Sequence, residues 1–233
     1  GLRKATEMGW FSLESFRIQE YEFLDCPFNG DIHQPCPRFL AFRGPTNRRK
    51  RLAPGFETLA PKDYVPIFRA KKVSAVVRLN ENEYEGSEFE EHGINHYDLS
   101  FPDCSVPSLD IVERFLDLME KEQGVVAVHC KAGLGRTGTL IALWMMRHHK
   151  WGANEAIAWL RIVRPGCVVG PQQRFLKLAE AGFWEGNRLV LAAQQVQDCY
   201  DSLPVVLAEE MGRGAQRRCL RNNNSESESG SEQ

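Results

Sequence analysis

The stretch VVAVHCKAGLGRTGTLIALWMM, residues 125–146, constrains the fold more than any other part of the chain. Residues 125–128 are apolar at every position, which predicts a strand buried on both faces, as in a parallel sheet covered by helices. After Arg136 the chain is apolar almost all round, which predicts a buried helix. The segment HCKAGLGR must make the strand-to-helix turn between them. Gly133 and Gly135 let the backbone curl so that successive N–H groups point inward and form an anion nest. The following helix aims the positive end of its dipole into the same hollow. In a parallel sheet such a loop lies at the carboxyl ends of the strands, where ligands bind.

This setting makes Cys130 a candidate nucleophile rather than a packed thiol. Amide donors, a helix N-terminus and a neighbouring guanidinium all favour the thiolate. Lys131, Ala132, Gly133, Leu134 and Gly135 would offer their backbone to a phosphate. Arg136 adds a planar fork of donors that can grip two phosphate oxygens and follow them as the group becomes trigonal. His129 is expected to orient the loop through backbone contacts, and Thr137 to place its hydroxyl near the sulfur and help it leave.

Attack on a phosphate ester also needs an acid for the leaving oxygen. In FPDCSVPS, Asp103 is framed by Pro102 and Pro107 at the end of the strand INHYDLSF, which predicts a place on the same rim as Cys130. Asp98 is the second candidate, although alternation along that strand turns it away. In GPQQRFL, residues 170–176, Gln172 is the first choice to position the hydrolytic water, with Gln173 in support.

The remainder alternates strands and helices, which argues for an α/β domain with a largely parallel sheet. Strands are expected over 38–44, 73–79 and 94–101. Helices are expected over 62–70 with an interruption at Pro66, over 84–93, over 107–124 with Ser108 as N-cap, over 153–165 and over 171–183. Residues 9–24 mix aromatic and acidic residues in a helical pattern, and 45–55 read as a turn-rich loop carrying Arg48, Arg49, Lys50 and Arg51. From Gly212 the chain turns basic and then Ser/Glu-rich, which predicts disorder.

Global properties narrow the partners. With a formal charge of -2 there is no overall pull toward nucleic acid. The longest apolar run, LIALWMM, falls far short of the roughly 18 residues of a membrane span, so no membrane partner is expected. Seven cysteines, an odd number without C-x-x-C spacing, point to a reducing compartment. The chain opens on Gly1 rather than Met, which suggests a fragment.

The motif VHCKAGLGRTG fits the cysteine-phosphatase signature H-C-x5-R-[S/T]. Together with GLRKA, FLAFRGP, VVRLN, HYDLSFPD, IAWLRIVRPG and GPQQRFL, it resembles the cell division cycle fourteen phosphatases over roughly residues 1–185. The resemblance implies the cysteine-phosphatase fold and a dual-specificity enzyme that needs no metal or cofactor, with Cys130 as nucleophile, Arg136 on the phosphate and Asp103 as acid. It also implies phosphoprotein substrates, above all Ser-Pro sites left by cyclin-dependent kinases, a role in mitotic exit, and a nuclear and cytoplasmic location with spindle or centrosome association. Members have two similar domains of which the second is catalytic. On that pattern residues 1–37 are linker helix and lead-in, 38–185 the catalytic domain, 186–211 a helical extension and 212–233 a disordered tail. Glu14, Glu20, Glu22 and Asp25 are the acids available to read a basic residue downstream of the phosphate. Cys104 departs from the family by placing a second thiol beside the acid. Two alternatives are a phosphoinositide phosphatase and a non-catalytic phosphoprotein-binding module. Leu134 stands where the lipid enzymes usually carry a second lysine, and the cysteine, arginine and acid that non-catalytic members lose are all present.

Overall fold

A computed structural model describes residues 1–53 and 56–201. In chain order the elements are α1 (Leu2–Glu7), α2 (Ile18–Asp25), β1 (Ile32–Cys36), β2 (Phe39–Arg43), β3 (Lys50–Ala53), β4 (Phe56–Thr58), α3 (Pro61–Ala70) and β5 (Val73–Arg78). They continue with α4 (Ser87–Glu90), β6 (Asn95–Asp98), α5 (Leu109–Lys121), β7 (Val125–Cys130), α6 (Gly135–His149), α7 (Ala153–Val163) and α8 (Pro171–Ala181). A hairpin of β8 (Phe183–Glu185) and β9 (Arg188–Val190) and helix α9 (Ala193–Asp201) follow.

The main sheet has the order β1-β2-β7-β5-β6. Only β1 is antiparallel; β2, β7, β5 and β6 run parallel. Strand β7 takes the centre, and its neighbours β2 and β5 are, like it, apolar on both faces. Side chains alternate across the pleat. Val126, Val128 and Cys130 join the core formed with α5 to α8, whereas Ala127 joins the smaller core under α3 and α4. The registers Arg43↔Cys130, Arg78↔His129 and Arg78↔Asp98 bring the carboxyl ends of four strands to one edge.

The expected helices at α5 and α6 are present. The Ser108 hydroxyl caps α5 by accepting from Ile111 N at 3.3 Å, and α6 buries Leu140 to Leu143, Met145 and Met146. Other expectations change: the helix expected over 84–93 is only the four residues of α4, and the helical extension expected over 186–211 opens with strand β9. The helical pattern over 9–24 yields only α2, because Gly9 at φ +69° ends α1 and the Ser12 hydroxyl turns the chain by accepting Glu14 N. Pro66 does not break α3, whose ten residues run through it with one backbone bond forgone. The basic loop closes as the β3–β4 hairpin, with Thr58 Oγ1 accepting from Lys50 N at 3.0 Å. Strand β1, with Pro35 inside it and Pro37 just beyond its end, does not read as a strand in the sequence. An edge strand tolerates them, so the sheet begins at Ile32 rather than at 38. Beyond Ala181 a hairpin precedes α9, and residues 202–233, including the expected tail, lie outside the described residues.

Candidate active site

Cys130 ends β7 with 2% of its surface exposed, and the loop 131–134 leads directly into α6. Gly133 adopts φ +68°, the left-handed conformation that a nest requires, and a Cβ there would lie 1.9 Å from the Phe42 carbonyl oxygen. Only glycine fits. At Gly135 a Cβ would lie 2.9 Å from Gln172 Oε1, so the helix start and the glutamine are in close apposition. Lys131 is exposed, Ala132 is half-buried, and Leu134 packs its partly buried side chain against the main core.

Arg136 lies in the first turn of α6 and is fully enclosed. Its Nη1 donates to Phe101 O at 2.8 Å and Leu79 O at 3.1 Å, which fixes the guanidinium across the ends of β5 and β6. Its Nε has no hydrogen-bond partner among the described residues, yet lies 3.3 Å from Asp103 Oδ1 in ion-pair contact. The structure therefore brings Asp103 to the arginine expected to bind phosphate. The Asp103 side chain is 61% exposed, and Oδ1 also accepts from Cys104 N at 3.0 Å. Asp98 is held elsewhere, bidentate on Arg78 at 2.6 and 2.9 Å, which corrects its candidacy as an acid. Its carboxylate is the counter-ion of a buried arginine.

Gln172 is fully buried. Its Oε1 accepts from Val169 N at 2.9 Å and its Nε2 donates to Ser105 O at 3.0 Å, which ties the entrance of α8 to the loop carrying Asp103. Gln173 is partly exposed. Thr137 is buried in α6, and its hydroxyl has no protein partner among the described residues. Cys104 is a free thiol at φ +58°, its pKa raised first by burial and then by the Asp103 carboxylate.

His129 is fully enclosed beneath the loop. Its Nδ1 lies 3.1 Å from the Cys130 carbonyl oxygen, which can only accept, so the ring proton is on Nδ1. Nε2 then accepts the Tyr84 hydroxyl at 2.7 Å, and the Tyr84 oxygen accepts from His96 Nε2 at 2.9 Å. Burial pushes the His129 pKa down to about 3, so the imidazole stays neutral. Tyr84, which stacks under the Arg78 guanidinium, was not singled out by sequence. Neither was Arg164, whose Nε and Nη2 donate to Gly133 O at 2.7 Å and Ala132 O at 2.9 Å. Of the four candidate acids in the lead-in, Glu20 is paired with Lys71 and Asp25 faces His33, leaving Glu14 and Glu22 exposed to solvent.

Residues 59–181 match the family model of the dual specificity phosphatase catalytic domain. Mouse dual specificity protein phosphatase CDC14B is 47% identical over 188 residues, covering 80% of this chain and 39% of that protein. Human CDC14A is 48% identical over 185 residues, covering 79% and 31%, and the fission yeast CDC14 homolog is 42% identical, covering 78% and 35%. The chain thus spans between about a third and two fifths of the length of these relatives. The crystal structure of Tk-PTP in its active form is 26% identical with a TM-score of 0.52, covering 62% of this chain and 92% of that one. PTPMT1, at 23% identity and a TM-score of 0.52, shares the fold over 63% of this chain and 91% of its own. The chain belongs to the dual-specificity phosphatase family, and its relatives place it in the CDC14 branch.

Proposed function

We propose that this chain is a cysteine-dependent protein phosphatase that hydrolyses phosphoserine, phosphothreonine and phosphotyrosine esters through a cysteinyl-phosphate intermediate. One observation carries the reading: Cys130, Arg136 and Asp103 converge at the carboxyl edge of one sheet, with Asp103 Oδ1 3.3 Å from Arg136 Nε. In the first step the Cys130 thiolate attacks phosphorus, the ester P–O bond breaks with its electron pair going to the leaving oxygen, and protonated Asp103 supplies the proton. The loop N–H groups and Arg136 hold the three equatorial oxygens. In the second step water attacks the cysteinyl phosphate, Asp103 takes a proton from it, and the P–S bond breaks to return the thiolate. Gln172 orients this water with the amide hydrogen and lone pair left over from its backbone bonds. Thr137 donates its hydroxyl to the departing sulfur.

The apolar packing of Leu134 favours phosphoproteins over a polyanionic inositol headgroup. Preference for Ser-Pro sites, and a role in cell division, rest on similarity to the CDC14 phosphatases, with Glu14 and Glu22 as the exposed acids for a basic residue downstream. The test is phosphate release from Ser-Pro, Thr-Pro and Tyr phosphopeptides and from soluble phosphoinositides, with Cys130→Ser and Asp103→Ala alongside. Cys130→Ser should abolish turnover. Asp103→Ala should slow phosphoserine far more than an aryl phosphate, whose leaving group needs little protonation. Turnover surviving Cys130→Ser would refute the mechanism, and equal losses on both substrates would assign the acid elsewhere.

A further inference from the structure

A loop that binds an anion through its N–H groups must send its carbonyls the other way, and each needs a donor there. Two of them, from Ala132 and Gly133, end on Arg164, which reaches in from the end of α7 and is 2% exposed. This guanidinium is a buried cation that lies behind the loop and does not face the phosphate.

Its charge is answered by a segment far away in sequence. Asp31 accepts from Arg164 Nη1 at 2.6 Å through Oδ1 and from Nη2 at 3.0 Å through Oδ2, and its main-chain carbonyl accepts from Nη1 at 2.8 Å. The remaining neighbour is His33, whose Nδ1 lies 2.7 Å from Arg164 Nη1. A guanidinium can only donate, so His33 Nδ1 is the acceptor and its ring proton is on Nε2, which faces Asp25 Oδ1 at 2.9 Å. Six acceptors therefore share the five N–H groups of Arg164, and none of those groups is left to meet substrate. Asp31 adopts φ +50° after Gly30 at φ +108°, so the turn before β1 is held in left-handed geometry that presents both its carboxylate and its carbonyl to one arginine. Asp31 and His33 both precede the family-matched span, which starts at residue 59.

Building on the phosphatase reading above, we propose that Arg164 is a positioning residue of the reaction. It turns the Ala132 and Gly133 carbonyls away from the phosphate and so keeps the loop N–H groups facing it, and Asp31 with His33 sets Arg164 in place. The lead-in to the sheet is then part of the catalytic apparatus. A lysine cannot replace Arg164, because its donors radiate from one nitrogen and cannot span two carbonyls and a carboxylate.

The test compares wild type, Arg164→Lys and Asp31→Asn in hydrolysis of p-nitrophenyl phosphate and in inhibition by orthovanadate, each assayed well below its own melting temperature. Arg164→Lys should weaken orthovanadate inhibition and lower kcat by about tenfold or more, as expected when the loop donors are misplaced by a fraction of an ångström. Asp31→Asn preserves shape, removes the counter-charge and turns one of the two accepting oxygens into a donor, and should show the same two losses to a smaller degree, roughly threefold or more. A fall in melting temperature with kcat and the vanadate inhibition constant both unchanged would make Arg164 a structural staple and overturn the proposal. If Arg164→Lys does not fold, Asp31→Asn decides alone, and an unchanged inhibition constant there overturns it. Wild type that neither hydrolyses the aryl phosphate nor binds vanadate would remove the phosphatase reading itself, and this proposal with it.

Discussion

Gly133→Ala isolates the geometry on which phosphate binding depends. The backbone at this position has φ +68°, where an L-residue with a Cβ costs about 1–2 kcal/mol. The added methyl would lie 1.9 Å from the Phe42 carbonyl oxygen, and ordinary contact begins at 3.4 Å, so relief requires a movement of about 1.5 Å. Phe42 is a buried residue of β2, paired across to His129, and cannot retreat. The loop must move instead. Overpacking of this kind adds roughly 1–3 kcal/mol, giving a total near 2–5 kcal/mol. At a few degrees per kcal/mol for a domain of this size, the melting temperature should fall by roughly 5–15 °C. The effect on activity should be larger, because a 1 Å error in a reacting group costs on the order of 100-fold. The assay is kcat/KM for an aryl phosphate at a temperature where calorimetry shows the variant folded. A value within threefold of wild type would refute the left-handed nest at Gly133 and the anion-binding geometry built on it.

Two further predictions concern the groups beneath the loop. Tyr84→Phe strips a hydroxyl from two imidazoles, and leaving one buried nitrogen unsatisfied costs about 1–3 kcal/mol, so a urea titration should show a loss of that size. A neutral result would mean the histidines do not depend on Tyr84. The His129 pKa, about 3 in the fold, lies below the ordinary 6.5 of the unfolded chain. Its neutral form therefore contributes stability fully above pH 6.5, and that contribution is lost as pH falls from 6.5 toward 3. At pH 5 the loss from this residue is about 2 kcal/mol relative to pH 7.5, and His33 and His96, whose pKa values are lowered mainly by burial, act in the same direction. Denaturant midpoints at the two pH values measure it; greater stability at pH 5 would reverse the sign of the reasoning.

What could be read from sequence and what could not divide along chain distance. Strand β7, the loop and α6 are contiguous, so apolar runs and two glycines were enough to outline them. Asp103 was reachable because strand order places the carboxyl ends of parallel strands on one rim. Arg164, Asp31 and His33 meet the loop only after folding, across 31 residues for the Arg164–Gly133 bond and 133 for Arg164–Asp31, and no local pattern marks them. Asp98 stood second to Asp103 because alternation turns it away, but nothing in its strand reveals that Arg78, at the end of β5, turns in to meet it. Strand β1 was hidden by prolines that only an edge position permits, and the β3–β4 hairpin by a run of basic residues whose side chains face solvent.

The chain of contacts from Cys130 O through His129 and Tyr84 to His96 leaves each proton assigned to one atom. The row ends on a main-chain carbonyl, which cannot take up a proton at neutral pH, so it is an insulator rather than a wire. The nucleophile is thus backed by a wall that neither gives nor takes protons at neutral pH. All proton traffic of the reaction has to pass the open side, where Asp103 meets solvent, and a proton inventory in mixed light and heavy water should register a single hydrogen in flight.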